Sequence, residues 1–253
     1  MDSYRAVIVR GIAALVIAGA LVSDAAASTY NVSPTQVFLD GRTSSALLTL
    51  RNDSAEPLRF QLSVFGWDQS AAGEMTLTPT DDIVFFPALV TLAPKEERKI
   101  RVGRVVGAGE VERSYRIFVE ELPPLESVTS GNAGVKVLTK MGIPIFVRPA
   151  RESTALAIKD IAGHHGTLTF ALANSGTVHV VPEKVTVRGF ADGAPVFEKQ
   201  LSAWYLLAGG RRDFDMPLSA SDCARATSYQ VEVAFGESKV DQRMAAPAGV
   251  CAQ

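Results

Sequence analysis

The chain has 253 residues, with 25 lysines and arginines against 27 aspartates and glutamates and a formal net charge of −2. That balance supplies no basic face of the kind nucleic acid needs, so no nucleic-acid partner is expected. Only two cysteines are present, which excludes a disulfide-dense scaffold, and the length admits one or two domains.

Residues 1–27 read as a targeting segment outside the fold. Arg5 and Arg10 give a positive start, Gly11 to Val22 is an apolar run, and Ala25-Ala26-Ala27 is a small-residue cleavage signal. The run is shorter than the roughly 20 residues that span a bilayer. A signal peptide, a mature chain beginning at Ser28 and no membrane anchor after cleavage are therefore expected.

Strand signals then recur with turns between them. Tyr30 to Leu39 is extended and ends at the turn dipeptide Asp40-Gly41. Ser45 to Arg51 alternates, with Ala46, Leu48 and Leu50 on one side, and stops at Asn52-Asp53. Leu58 to Trp67 alternates through Phe60, Leu62 and Val64. Ala71-Ala72-Gly73 is a turn. Ile83 to Pro87 leads to Leu89, Val90 and Leu92. Arg98 to Val106 and Ser114 to Leu122 follow, the second closed by Pro123-Pro124. Lys95, Arg98, Lys99, Arg101 and Arg104 are interleaved with Glu96 and Glu97 and read as a solvated strand face.

Val135 to Pro149 reads as one long strand. Val135, Val137, Met141, Ile143, Ile145 and Val147 occupy every second position, with Thr139 in the row and Lys136 and Lys140 on the opposite parity. A loop of small residues, Ser127 to Gly134, precedes it. A strand of this kind at a sheet edge can offer its apolar face to another chain.

After Pro149-Ala150 the pattern restarts. Thr167 to Asn174 echoes Leu47 to Asn52, and Leu206 to Arg211 echoes Thr91 to Glu96. The expected fold is all-β, with two related sandwiches in tandem. The domains expected are 28–149, holding a donor strand 135–147, and 150–253.

Little here points to chemistry. No Gly-x-Ser-x-Gly elbow and no phosphate loop are present. His164-His165 reads as a solvated turn and His179 is isolated. Asp81-Asp82 and Glu120-Glu121 read as loop or strand-end charges. No catalysis, cofactor or metal is expected. Cys223 and Cys251 are a candidate structural disulfide, provided their Cα atoms approach. Arg116 and Lys140 sit inside apolar strands, where an unpaired cation is costly. Either each reaches solvent or a glutamate, or the two line an inter-domain cleft and clamp a carboxylate.

Together these stretches resemble the periplasmic pilus-assembly chaperones of the chaperone–usher pathway. The resemblance is carried by Val32-Ser33-Pro34 with Val37-Phe38, Leu48 to Asn52, Phe86-Pro87 with Leu92-Ala93-Pro94, Glu112 to Pro124, and Ile143 to Pro149. It implies two immunoglobulin-like domains in a boomerang arrangement, located in the periplasm. It also implies a long strand that fills the open groove of a pilin subunit, with delivery to an outer-membrane usher. The donated residues would be Val135, Val137, Thr139, Met141 and Ile143. Family members hold the subunit's terminal carboxylate with a basic pair, one of them in the first strand. This chain has Gln36 and Pro144 at those two positions, so Arg116 and Lys140 take the anchoring role here. The departure looks more like the branch that serves spore-coat-like pilins. A homodimer through the donor strand is a further reading. The rival from another class is an exported two-domain structural or adhesive surface subunit.

Overall fold

The computed structural model describes residues 29–125, 137–246 and 250–251. The expected signal peptide and Val135 lie outside them. Seventeen strands and one short helix make up the described secondary structure.

Four sheets form two sandwiches. In the first, one sheet has β1 (Tyr30–Ser33), β3 (Ser45–Asn52), β8 (Glu97–Arg104) and β6 (Ile83–Phe86) in that order. The facing sheet runs β2 (Val37–Leu39), β10 (Lys140–Val147), β9 (Arg113–Leu122), β4 (Leu58–Gln69), β5 (Met75–Pro79), and β7 (Leu89–Leu92) also pairs with β4. The extended segment Tyr30 to Leu39 is thus two strands in two sheets. β1 pairs antiparallel with β3, and β2 pairs parallel with β10. Pro34 lies between them and has no N–H to continue either ladder. The strand β5 gave no clear signal in the sequence; its residues are mostly exposed.

The alternation read from the sequence sorts residues onto the core. Leu48, Leu50, Phe60, Ile100, Ile117 and Ile145 are each wholly or almost wholly buried between the two sheets. Burying side chains of this size contributes about 1.5–3 kcal/mol apiece.

The second sandwich has β11 (Leu156–His164), β12 (Thr167–Asn174) and β15 (Arg211–Pro217) on one side. On the other are β14 (Ala194–Leu201), β13 (Lys184–Ala191), β16 (Ser228–Phe235) and β17 (Ser238–Ala245). Its own core centres on Leu168, Val185, Val187, Tyr229, Val231 and Val233. The helix α1 (Ala220–Arg225) is capped by Ser219, whose hydroxyl accepts from Asp222 N. It carries Cys223, which is bonded to Cys251 with Cα atoms 5.6 Å apart. That ties the chain's last described residues to this sandwich.

The internal echo has a physical basis. Asn52 at the end of β3 donates through Nδ2 to the carbonyls of Glu56, Leu92 and Ala93. Asn174 at the end of β12 does the same to Val178, Leu206 and Leu207. In each sandwich one buried asparagine stitches a strand end to a distant segment, Leu92-Ala93 in the first and Leu206-Leu207 in the second. Buried carbonyls need such partners.

Candidate functional site

The site grows from the face of the β2-β10-β9-β4 sheet that points away from its own core. On β9 the odd residues Tyr115, Ile117 and Val119 face the core. Successive side chains alternate, so Ser114, Arg116, Phe118 and Glu120 share the outer face. Their antiparallel partners on β10 are Phe146, Pro144, Gly142 and Lys140. Phe65 of β4 lies opposite Arg116 on the other side. Trp67 shares the parity of Phe65 and belongs to the same outer face.

One end of this face is covered by the second sandwich. Trp67 and Phe146 form an apolar cluster with Tyr205 and Leu207. Hydrogen bonds cross the seam. Gln69 Nε2 donates to the Tyr205 carbonyl at 2.9 Å, and Leu207 N donates to Gln69 Oε1 at 3.2 Å. Gln36 Nε2 donates to the Tyr205 hydroxyl at 2.5 Å, and Asp213 N to the Ala71 carbonyl at 2.7 Å. Glu112, whose side chain is fully buried, accepts at Oε1 from His179 N at 3.0 Å and meets His179 Nδ1 at 2.6 Å. The His179 ring stacks on Phe146 with centroids 3.8 Å apart. His179, which looks isolated in the sequence, is therefore a seam residue.

Arg116 sits at the border of this seam and is only 7% exposed. Its guanidinium carbon lies 4.2 Å from the Trp67 ring centroid and 4.4 Å from that of Trp204. Gly142 makes room on β10: a Cβ there would fall 2.9 Å from the Phe118 ring and 3.3 Å from Arg116 Nη1. The Arg116 Nε is buried without a partner, and no ion pair or hydrogen bond of the Arg116 side chain is found among the described residues. Burial pulls its pKa below the ordinary arginine value, with nearby Tyr205 acting in the opposite sense. A guanidinium stays charged even so. The aromatic faces offset part of the desolvation cost, but they do not neutralise the charge. What remains is a largely buried cation without an anion among the described residues.

Lys140 does not join it. The register puts Lys140 opposite Glu120 and Arg116 opposite Pro144, four residues away, or about 13 Å along the strand. Lys140 Nζ lies 2.8 Å from Glu120 Oε2 with both side chains half exposed, and it rests over the Phe118 ring. Of the two expected anchors, only Arg116 has no ion-pair partner among the described residues.

The donor row divides in the same way. Ile143 is 1% exposed, opposite Ile117 and inside the first sandwich's own core. It has no surface to lend, which corrects its expected place in the row. Val137 (65%) and Met141 (37%) are exposed on the same parity as Ile143, so the row runs out of the core into solvent. Thr139 lies between them, its carbonyl accepting from Glu121 N at 2.9 Å. Val135 falls outside the described residues. The regular ladder of β10 starts at Lys140 rather than at 135.

The basic run of β8 lies on the opposite sheet. Arg98 pairs with Glu96 at 2.6 Å, while Lys99 and Arg101 border a hollow of about 550 Å³ with exposed Leu47, Phe86 and Leu89. No group of three or more histidine, cysteine, aspartate or glutamate side chains suited to a metal occurs among the described residues. No helix among them is long and apolar enough to cross a membrane.

Residues 29–152 match the pili and flagellar-assembly chaperone family, PapD N-terminal domain. Residues 29–152, the first sandwich, therefore belong to that domain family. No curated protein matches it by sequence. Solved structures of similar fold include the class 5 fimbriae chaperone CfaA, at 15% identity and TM-score 0.56, covering 85% of this chain and 98% of that one. A second is the CsuC–CsuE chaperone–tip adhesion subunit pre-assembly complex of Acinetobacter baumannii, at 16% and 0.57, covering 85% and 97%. A third is the Salmonella enterica SafA pilin in complex with the SafB chaperone, at 16% and 0.57, covering 86% and 96%. These likenesses extend over both sandwiches and give the two-domain β-sandwich fold.

Sequence reasoning named Arg116 but missed what holds it. Trp67, Trp204, Tyr205, Gln36 and Gln69 follow no spacing rule. The one signal available was that Trp67 and Trp204 are the chain's two tryptophans.

Proposed function

We propose that this protein is a periplasmic chaperone that captures an exported pilin subunit and passes it to an outer-membrane usher. The first 27 residues serve as its signal peptide. The segment leading into β10 is added to the subunit's open sheet, with Val137, Thr139 and Met141 as the donated row. Main-chain hydrogen bonds give affinity and the alternating side chains fill apolar pockets. Arg116 holds the subunit's terminal carboxylate. Transfer needs no nucleotide, because a neighbouring subunit's strand replaces the chaperone's strand. The protein has no catalytic role in this reading.

The observation that carries the proposal is Arg116: a largely buried guanidinium with no counter-ion among the described residues, on the strand next to a row of exposed apolar residues. A purely structural arginine would be paired or solvated. The solved chaperone–subunit complexes of the same fold support it.

The test is co-purification from periplasm with candidate pilins co-expressed, comparing tagged wild type with Val137→Asp. The expected result is capture of a β-rich subunit by the wild type and its loss in the variant, with folding unchanged. Equal capture by the variant would remove the donor row. Failure of the wild type to capture any candidate would favour the adhesive-subunit reading.

A further inference from the structure

Tyr205, on the second sandwich, lies close enough to Arg116 to act on its charge, and its hydroxyl has a hydrogen bond left to give. The residue is 8% exposed. Its ring centroid lies 5.3 Å from each of the two indoles that flank Arg116. Gln36 Nε2 donates to the phenolic oxygen. An amide nitrogen cannot accept, so that bond leaves the phenolic hydrogen unused. No acceptor for it is found among the described residues. Both glutamines that grip Tyr205 belong to the first sandwich, Gln36 at the hydroxyl and Gln69 at the carbonyl. A tyrosine held at both ends, with its one donor unspent beside an unpaired cation, is arranged to meet an anion.

We propose that the Tyr205 hydroxyl is the second donor of the Arg116 site. This deepens the carboxylate-anchor reading and rests on it. Arg116 supplies charge to one carboxylate oxygen, and Tyr205, oriented by Gln36, supplies a neutral hydrogen bond to the other. The chemistry defines the ligand class. One cation and one phenol suit a single chain-terminal carboxylate. A dianionic group, such as a phosphate monoester or a terminal aspartate, would bring a second charge with no second cation to meet it. The site is also divided between the sandwiches, so it is complete only while they are docked.

The two tryptophans both touch Arg116, so intrinsic fluorescence reports on the site. The probe is a soluble peptide of alternating valine and serine, in free-acid and carboxamide forms, titrated into the full-length mature protein. Wild type should prefer the acid. Tyr205→Phe should weaken acid binding by about tenfold and amide binding, where the phenol meets a neutral carbonyl, by clearly less. Gln36→Leu should move it part of the way, and Arg116→Met should abolish the preference. Retained amide binding also shows that the variants are folded. A structural tie alone would shift both forms together. If Tyr205→Phe keeps the wild-type acid-to-amide ratio while Arg116→Met loses it, the Tyr205 assignment fails and the anchor stands. If Arg116→Met keeps the ratio, or wild type shows no preference or no binding, both fail.

Discussion

Arg116 costs the fold something. Its desolvation is offset by two indole faces but by no carboxylate. Replacing an uncompensated buried charge with an apolar side chain of similar length is often neutral or stabilising. Arg116→Met should therefore unfold in urea at the same midpoint as wild type or later, while subunit capture falls at least tenfold. A clear loss of stability would make Arg116 a structural residue. Its neighbour Tyr115 behaves differently. The Tyr115 hydroxyl donates to Asp82 Oδ2 at 2.7 Å, and burial, followed by that bond, pushes its pKa up to about 12. The unfolded phenol titrates near about 10. The fold therefore holds this proton more tightly than the unfolded chain does. The stability it contributes is whole below pH 10 and is lost as pH rises towards 12. Urea midpoints measured across that window should fall with a shallower slope in Tyr115→Phe. Identical slopes would show that the group does not control alkaline unfolding.

At the scale of the element, β10 and the residues leading into it form one alternating row in two environments. The odd residues pass from exposed Val137, ahead of the strand, and exposed Met141 to buried Ile143 and Ile145. Val137→Ala should change stability by less than about 0.5 kcal/mol. Ile143→Ala should cost about 2–5 kcal/mol, because it leaves a cavity between the sheets. Comparable losses at both positions, by chemical denaturation, would mean that the row is uniform and none of it is free to lend. The odd-parity row was legible in the sequence because strand alternation reports which residues face a core. Where that core stops was not legible, because Val137 and Ile143 obey the same pattern and differ only in what lies opposite. The echo of Asn52 in Asn174 was legible as well, since each satisfies carbonyls at the corresponding place in its own sandwich. The outer face was not. Arg116 and Phe118 look like breaks in the Tyr115-Ile117-Val119 pattern. Both faces of β9 are covered there, one by its own sandwich and the other by a segment about ninety residues later in the chain, and alternation assumes only one covered face.

At the scale of the molecule, the seam joins two bodies that each have a core. Glu112 is its most exacting contact: a fully buried carboxylate serving the backbone and the ring of His179. Removing it would strand the His179 N–H and unseat the ring stacked on Phe146. Losing hydrogen bonds to a buried charged group costs about 1.5–3 kcal/mol apiece. That cost falls on the coupling between the sandwiches rather than on either core. Glu112→Ala should therefore convert one calorimetric transition into two, with the separated melting of each sandwich close to that of the isolated domain. A single transition, merely shifted lower, would mean that Glu112 supports the first sandwich alone. The distinction reaches function through Tyr205, because an anchor divided between two domains binds only as well as they are docked. If the transitions split, carboxylate preference should fall with them even though Arg116, Trp67 and the donor row are untouched.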